Sequence, residues 1–109
     1  MKKIAAFGEV YYMSLIPHNN AGALGSAATL HAALAIPNVE MIEAPWVNSD
    51  APDGGVVSPY PKVEGGYALP LEGPGLGITF DENLARSRPF RKPPLQPRLN
   101  APDGSVREF

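Results

Sequence analysis

His18 and Glu43 are the two side chains in this 109-residue chain whose types and placement could move a proton together. Each stands just beyond a short apolar run: His18 after Met13 to Ile16 and Pro17, Glu43 at the end of Val39 to Ile42. An imidazole titrates near ~6.5 in water and so serves as acid or base at neutral pH. A carboxyl group beside it could bind a substrate or stabilise developing charge, depending on its protonation state. If the two runs are neighbouring strands, ~4.8 Å apart, both side chains reach one small ligand. Spacing alone leaves a blander reading open. His18 could be a histidine at the start of a loop that bonds the backbone, and Glu43 a paired structural carboxylate.

The remaining candidates are weaker. Asn19 and Asn20 are loop residues that could also meet a polar ligand, and Trp46 could line a pocket or merely pack. His31, in the middle of an apolar helix, reads as a packing residue. Asp50 and Asp53 lie among proline and glycine, where turn chemistry explains them first. No recognised metal-ligand spacing is present: there is no H-x-x-x-H and no HExxH, and the acids are scattered. "GPGLG" lacks the Lys-Ser/Thr and following helix of a phosphate loop. There is no G-x-S-x-G elbow.

The elements that must position His18 and Glu43 follow from pattern. Lys2 to Tyr12 reads as an uncapped helix weakened by Gly8. Met13 to Ile16 reads as a strand stopped by Pro17. Ala23 to Ile36, rich in alanine and leucine and stopped by Pro37, is a strong helix. Val39 to Ile42 reads as a second strand ended by Pro45. Strand, helix, strand in that order is a βαβ unit with parallel strands and a right-handed crossover. The helix is apolar on all sides, which predicts burial on more than one side. Residues 47–58 read as a polar loop, "PKVEGGYALP" as a hairpin around Gly65-Gly66, and "GPGLGITF" as a turn into a strand. Asp81 caps a brief helix with Leu84 facing inward. From Arg88 the chain reads as extended, with a turn at Pro102-Asp103-Gly104.

Composition sets limits on function. Net charge is -2, so there is no electrostatic case for nucleic-acid or anionic-membrane partners. The absence of cysteine removes disulfides, thiolate metal sites and cysteine nucleophiles together. No secretory signal is recognisable and no window approaches ~18 consecutive apolar residues, so the expectation is a cytoplasmic protein. Two of the 13 prolines, Pro17 and Pro37, fall within residues 1–44. The chain thus divides into a regular first part and a turn-rich second part.

"IPHNNAGALGSAATLHAALAIPNVEMIEAPW" followed by "PLEGPGLGITFDENL" resembles the C-terminal end of the mandelate racemase / muconate lactonizing enzyme group of the enolase superfamily. The closing "PDGSVREF" resembles the tails of its sugar-acid dehydratase members. The resemblance implies an α/β fold: the C-terminal βαβ portion of a (β/α)8 TIM barrel plus an irregular segment of the α+β capping domain. Residues 1–59 would be the last barrel units, with the sixth helix and the seventh and eighth strands. Residues 60–109 would return to the cap.

By that resemblance His18 is the general acid/base, and Glu43 contacts the substrate carboxylate or the enolate it becomes. Asn19 and Trp46 are substrate-side candidates. The implied chemistry is α-proton abstraction from a sugar acid, giving an enolate held by Mg2+, then loss of water as in a hydro-lyase. Racemase or epimerase chemistry, and a non-catalytic binding module, are the rivals. The departure from the family is that its Mg2+ ligands lie on the third, fourth and fifth strands and a histidine-partnering aspartate on the sixth. None of these is in this chain. The expectation is therefore a C-terminal fragment, inactive alone, whose partner is the missing N-terminal part of the barrel, with a homo-oligomer at full length. Two isolated strands and an all-round apolar helix predict a partly disordered or aggregated chain.

Overall fold

A computed structural model describes residues 1–45, 54–89 and 103–105. Helix α1 (Lys2–Glu9) buries Ala5 and starts without a side-chain cap. The predicted end at Tyr12 is too late. The Tyr12 amide donates to the Glu9 carbonyl and the Met13 amide to the Gly8 carbonyl, both at 3.0 Å. Those two bonds form a Schellman closure, with Tyr12 at φ 56° in the left-handed position usually given to glycine. The Asn38 carboxamide then donates to the carbonyls of Ala5 and Met13, at 3.0 and 2.9 Å, and ties the helix to the second apolar run.

The two apolar runs do lie side by side and parallel, but the predicted strands Met13–Ile16 and Val39–Ile42 shrink to one bridge, Leu15 opposite Val39. Leu15 donates to the Asn38 carbonyl at 2.8 Å and accepts from the Glu40 amide at 3.0 Å. The reason is physical. Pro17, Pro37 and Pro45 bracket both runs and remove donors, and a two-stranded pair without further neighbours is marginal.

Helix α2 (Ala23–Leu34) connects the runs and stops two residues short of the predicted Ile36. Its buried residues are Ala23, Ser26, Ala27, Leu30 and Ala33, a single face at three- and four-residue spacing. Burial on more than one side is therefore not what is found: Leu24 and Leu34 are exposed. The turn-rich second part covers the one buried face. Ala27, Leu30 and Leu71 form the core cluster, with Ile42, Ala68, Leu76 and Ile78 packed against it. The His31 Nε2–H adds a polar tie to the Leu76 carbonyl at 3.0 Å, which fits its reading as a packing residue.

Four two-residue strands follow. β1 (Val57–Ser58) pairs antiparallel with β4 (Thr79–Phe80), and β2 (Val63–Glu64) with β3 (Tyr67–Ala68). The second pair is the predicted hairpin. Gly65 and Gly66 both have positive φ, 57° and 87°, as a type I′ turn requires. β1 falls inside the predicted loop 47–58, because Val56 and Val57 supply a β-branched pair that finds a partner far along the chain. Helix α3 (Glu82–Ser87) is capped as predicted: Asp81 Oδ1 accepts from the Leu84 amide at 2.8 Å. Of the C-terminal turn, Asp103 accepts from the Ser105 amide and hydroxyl, and those bonds hold its carboxyl below the usual carboxylate range. Among the described residues no helix is long and apolar enough to cross a membrane.

Ile4 and Phe7 on helix α1 and Tyr11 in the turn that closes it form an uncovered apolar stripe beside exposed Met13 and Ile16, the Phe7 and Tyr11 rings 5.7 Å apart between centroids. Exposed surface of this kind drives association. In sedimentation velocity at tens of micromolar (~), the chain is expected to run as oligomers or larger species. The double change Ile4→Lys, Phe7→Lys should shift it toward monomer. An unmodified chain that is already a monomer would refute this.

Candidate active site

The parallel bridge brings the ends of the two apolar runs together, and the candidate residues meet there. His18 Nδ1 lies 2.7 Å from Glu43 Oε2. The same oxygen accepts the Asn19 backbone N–H at 2.6 Å. His18 and Glu43 therefore touch each other, a closer relation than two groups facing one ligand from neighbouring strands. His18 remains 78% exposed and Glu43 about half exposed, so the pair lies at the surface, open to a partner or a small molecule.

Asn19 occupies a different place from its neighbour. It is 4% exposed. Its Nδ2 donates to the Glu43 carbonyl at 3.1 Å and to Ser26 Oγ at 3.2 Å, and its Oδ1 accepts from the Ala21 amide at 3.3 Å. The carboxamide is thus engaged within the protein, which makes Asn19 a residue that holds Glu43 in place. Asn20 is exposed. Trp46 lies outside the described residues, as do Asp50 and Asp53.

Ser26 is the member that sequence reasoning did not single out. It is 2% exposed in α2, and its hydroxyl donates to the Ala21 carbonyl at 3.2 Å while accepting from Asn19. The available signal was a serine on an otherwise apolar helical face, one turn into the helix that follows the histidine. A buried hydroxyl costs stability unless bonded, and the partner that bonds this one is in the loop carrying His18.

The arrangement can hold an imidazole in one orientation against a carboxylate and leave its other nitrogen free to exchange a proton. A cation site is another matter. Among the described residues no group of three histidine, cysteine, aspartate or glutamate side chains gathers.

Comparison with known proteins gives a consistent picture. A family profile described as "Enolase C-terminal domain-like" matches residues 1–84. The chain is 33% identical over 114 residues to a D-galactonate dehydratase of Ralstonia pickettii (strain 12J), covering 98% of this chain and 30% of that protein. A mandelate racemase/muconate lactonizing enzyme structure from Jannaschia sp. CCS1 superposes with a TM-score of 0.69 at 32% identity, over 84% of this chain and 23% of that one. A mandelate racemase/muconate lactonizing enzyme-like protein from Roseovarius sp. TM1035 gives a TM-score of 0.62 at 44% identity, over 83% and 22%. The chain spans under a third of the length of each.

The buried bonds around Asn19 should register in stability. Ser26→Ala leaves a buried amide N–H and a carbonyl without their partner, and is expected to cost about 1–3 kcal/mol. Asn20→Ala, at an exposed position, should stay within about 0.5 kcal/mol of the parent. Urea unfolding followed by far-ultraviolet circular dichroism measures both; equal costs would contradict the structural role of Ser26.

Proposed function

The chain belongs to the enolase C-terminal domain-like family, and on that premise we propose that it forms the proton-transfer wall of a sugar-acid dehydratase whose remaining parts lie in a longer polypeptide. Residues 1–59 supply the last units of a (β/α)8 barrel, and residues 60–109 belong to the capping domain. The observation that carries this reading is the 2.7 Å contact between His18 and Glu43 at the ends of two parallel segments. Ligands gather at the C-terminal ends of strands in parallel α/β folds. The dehydratase name of the Ralstonia relative supports the proposed substrate class, an aldonic acid of the galactonate type.

In this reading His18 takes the proton from the carbon next to the substrate carboxylate. The electron pair left behind becomes an enolate. Its collapse breaks the C–O bond at the next carbon, and the departing hydroxyl takes a proton from a general acid of the longer polypeptide and leaves as water. The enol so formed tautomerises to the 2-keto acid, and His18 releases its proton to solvent. Nδ1 of His18 is engaged with Glu43, so Nε2 is the atom that accepts the proton. Glu43 contributes negative charge at Nδ1, the ring nitrogen that does not take the proton, and Asn19 fixes Glu43 through its amide and carboxamide. Trp46 is a further candidate for the substrate side.

Removing an α-proton beside a carboxylate requires strong stabilisation of the resulting charge, which family enzymes obtain from Mg2+. The described residues do not fit such a site, and His18 and Glu43 are paired with each other. In this proposal the magnesium ligands belong to other parts of the longer polypeptide, and the 109-residue chain by itself is expected to be inactive.

His18→Asn in the full-length enzyme tests the assignment. Loss of a positioned acid/base is worth roughly 10²–10⁴-fold, so deuterium exchange at C2 of galactonate should fall by at least that much while Mg2+ affinity, measured by calorimetry, stays unchanged. Undiminished exchange would remove His18 from the role.

A further inference from the structure

We infer that Asp103–Gly104 is a site of spontaneous backbone modification, at which aspartate converts to isoaspartate through a cyclic imide, and that Ser105 restrains the conversion. The aspartates of the chain are Asp50, Asp53, Asp81 and Asp103, and glycine follows Asp53 and Asp103. Glycine has no side chain to shield its own nitrogen. Asp103, Gly104 and Ser105 are all exposed, so among the described residues no packed element keeps the carboxyl away from the next nitrogen. Gly104 has φ 83°, in the left-handed region that a residue with a side chain rarely enters. Asp81 is the contrast. The nitrogen beyond it belongs to Glu82, the first residue of α3, and its carboxyl is committed to the Leu84 amide as a helix cap.

The conversion balances without a cofactor or an oxidant. The Gly104 nitrogen bonds to Cγ of Asp103 in its neutral, carboxylic acid form. The amide gives up its hydrogen, the Cγ–OH bond breaks, and the two depart together as water. A second water then opens the imide. Attack at Cγ restores aspartate. Attack at the main-chain carbonyl breaks its bond to the Gly104 nitrogen, and the chain now runs through Cβ and Cγ with the α-carboxylate free. That product is isoaspartate.

Ser105 restrains the step because it favours the unreactive form of the acid. Oδ1 of Asp103 accepts from the Ser105 hydroxyl at 2.7 Å and from the Ser105 amide at 2.9 Å. Bonds of this kind are stronger to a charged acceptor, and they keep the proton off the carboxyl. The hydroxyl is the larger cause. An ionised carboxylate is a poor target for a nitrogen nucleophile and has no hydroxyl to lose. Among the described residues no other group bonds this carboxyl, so one neighbouring residue governs it. The restraint therefore operates where the carboxyl is ionised and disappears where acid protonates it.

The purified 109-residue chain, warmed in buffer, digested and mapped by electron-transfer mass spectrometry, gives the isoaspartate fraction at each aspartate. At about pH 6, above the carboxylate range, the parent should convert slowly at Asp103. Ser105→Ala should convert about threefold faster or more, the scale of one lost hydrogen bond. Ser105→Thr, which keeps both the hydroxyl and the amide, should match the parent. At about pH 2, below the ordinary aspartate value, the rates should converge. Asp53–Gly54 in the same digest is the reference and should keep its parent rate in every variant. Four results would overturn the assignment: no isoaspartate at Asp103 in Ser105→Ala, a rate equal to the parent's at about pH 6, an undiminished excess at about pH 2, or an equal rise at Asp53–Gly54, which would mean a general loosening of the chain. None of these readouts involves catalysis, so they stand apart from the role proposed for His18.

Discussion

One oxygen atom, Glu43 Oε2, receives the imidazole of His18 and the amide of Asn19 at the same time, and the geometry of the site depends on that shared acceptor. The donors and the acceptor lie 24 or more residues apart in sequence. They meet because a parallel bridge between Leu15 and Val39 sets the two chain segments in register, so that a few residues further on the first delivers a histidine and the second a carboxylate. A change of one residue in that register would send one of the two side chains to the opposite face. The backbone amide of Asn19 makes the arrangement strict, because a main-chain donor cannot swing away as a side chain can.

Helix α2 has two tasks that its sequence separates by position. Ala27 and Leu30 pack with Leu71 in the core, while Ser26, on the same buried face, serves the loop that precedes the helix. The remaining apolar positions, Leu24 and Leu34 among them, meet solvent. A fully buried leucine contributes ~1.5–3 kcal/mol, and few large side chains here reach that state. Among the described residues the fold is thus assembled from a small core, one parallel bridge, two short antiparallel pairs and the buried polar knot around Asn19. The polar knot matters more than it would in a larger domain, since each of its bonds is a large share of what holds the segments together.

Much of this was legible in the sequence. The proline stops and the alanine-rich run located α2, Gly65-Gly66 named its hairpin, and Asp81 named its helix cap. Their signals are local, carried by residues within one turn of the feature they specify. His18 and Glu43 were legible as a pair because the βαβ order implies parallel neighbours. The failures are non-local or depend on partners. Nothing near Val57 announces that Phe80 will pair with it. The two predicted strands had the right composition, but a strand's length is decided by what lies on either side of it. The burial of Asn19 was not legible either, because it depends on bonds to Ser26 and Glu43, each of which looked unrelated in one dimension; whether Asn19 also meets a ligand is a separate matter. The family comparison shows which family the chain belongs to, while the bonds around His18, Asn19 and Glu43 had to be seen in three dimensions.

In the function proposed here, His18 and Glu43 form a proton-transfer pair that works only with the charge-stabilising groups of a larger protein. The most direct measurement is ¹H NMR of D-galactonate in D2O with the purified 109-residue chain and Mg2+. The expected result is a C2 proton signal that persists at the rate of the protein-free control, with no dehydrated product. Washout of that signal, or appearance of the 3-deoxy-2-keto acid, in proportion to the amount of this chain would contradict the claim.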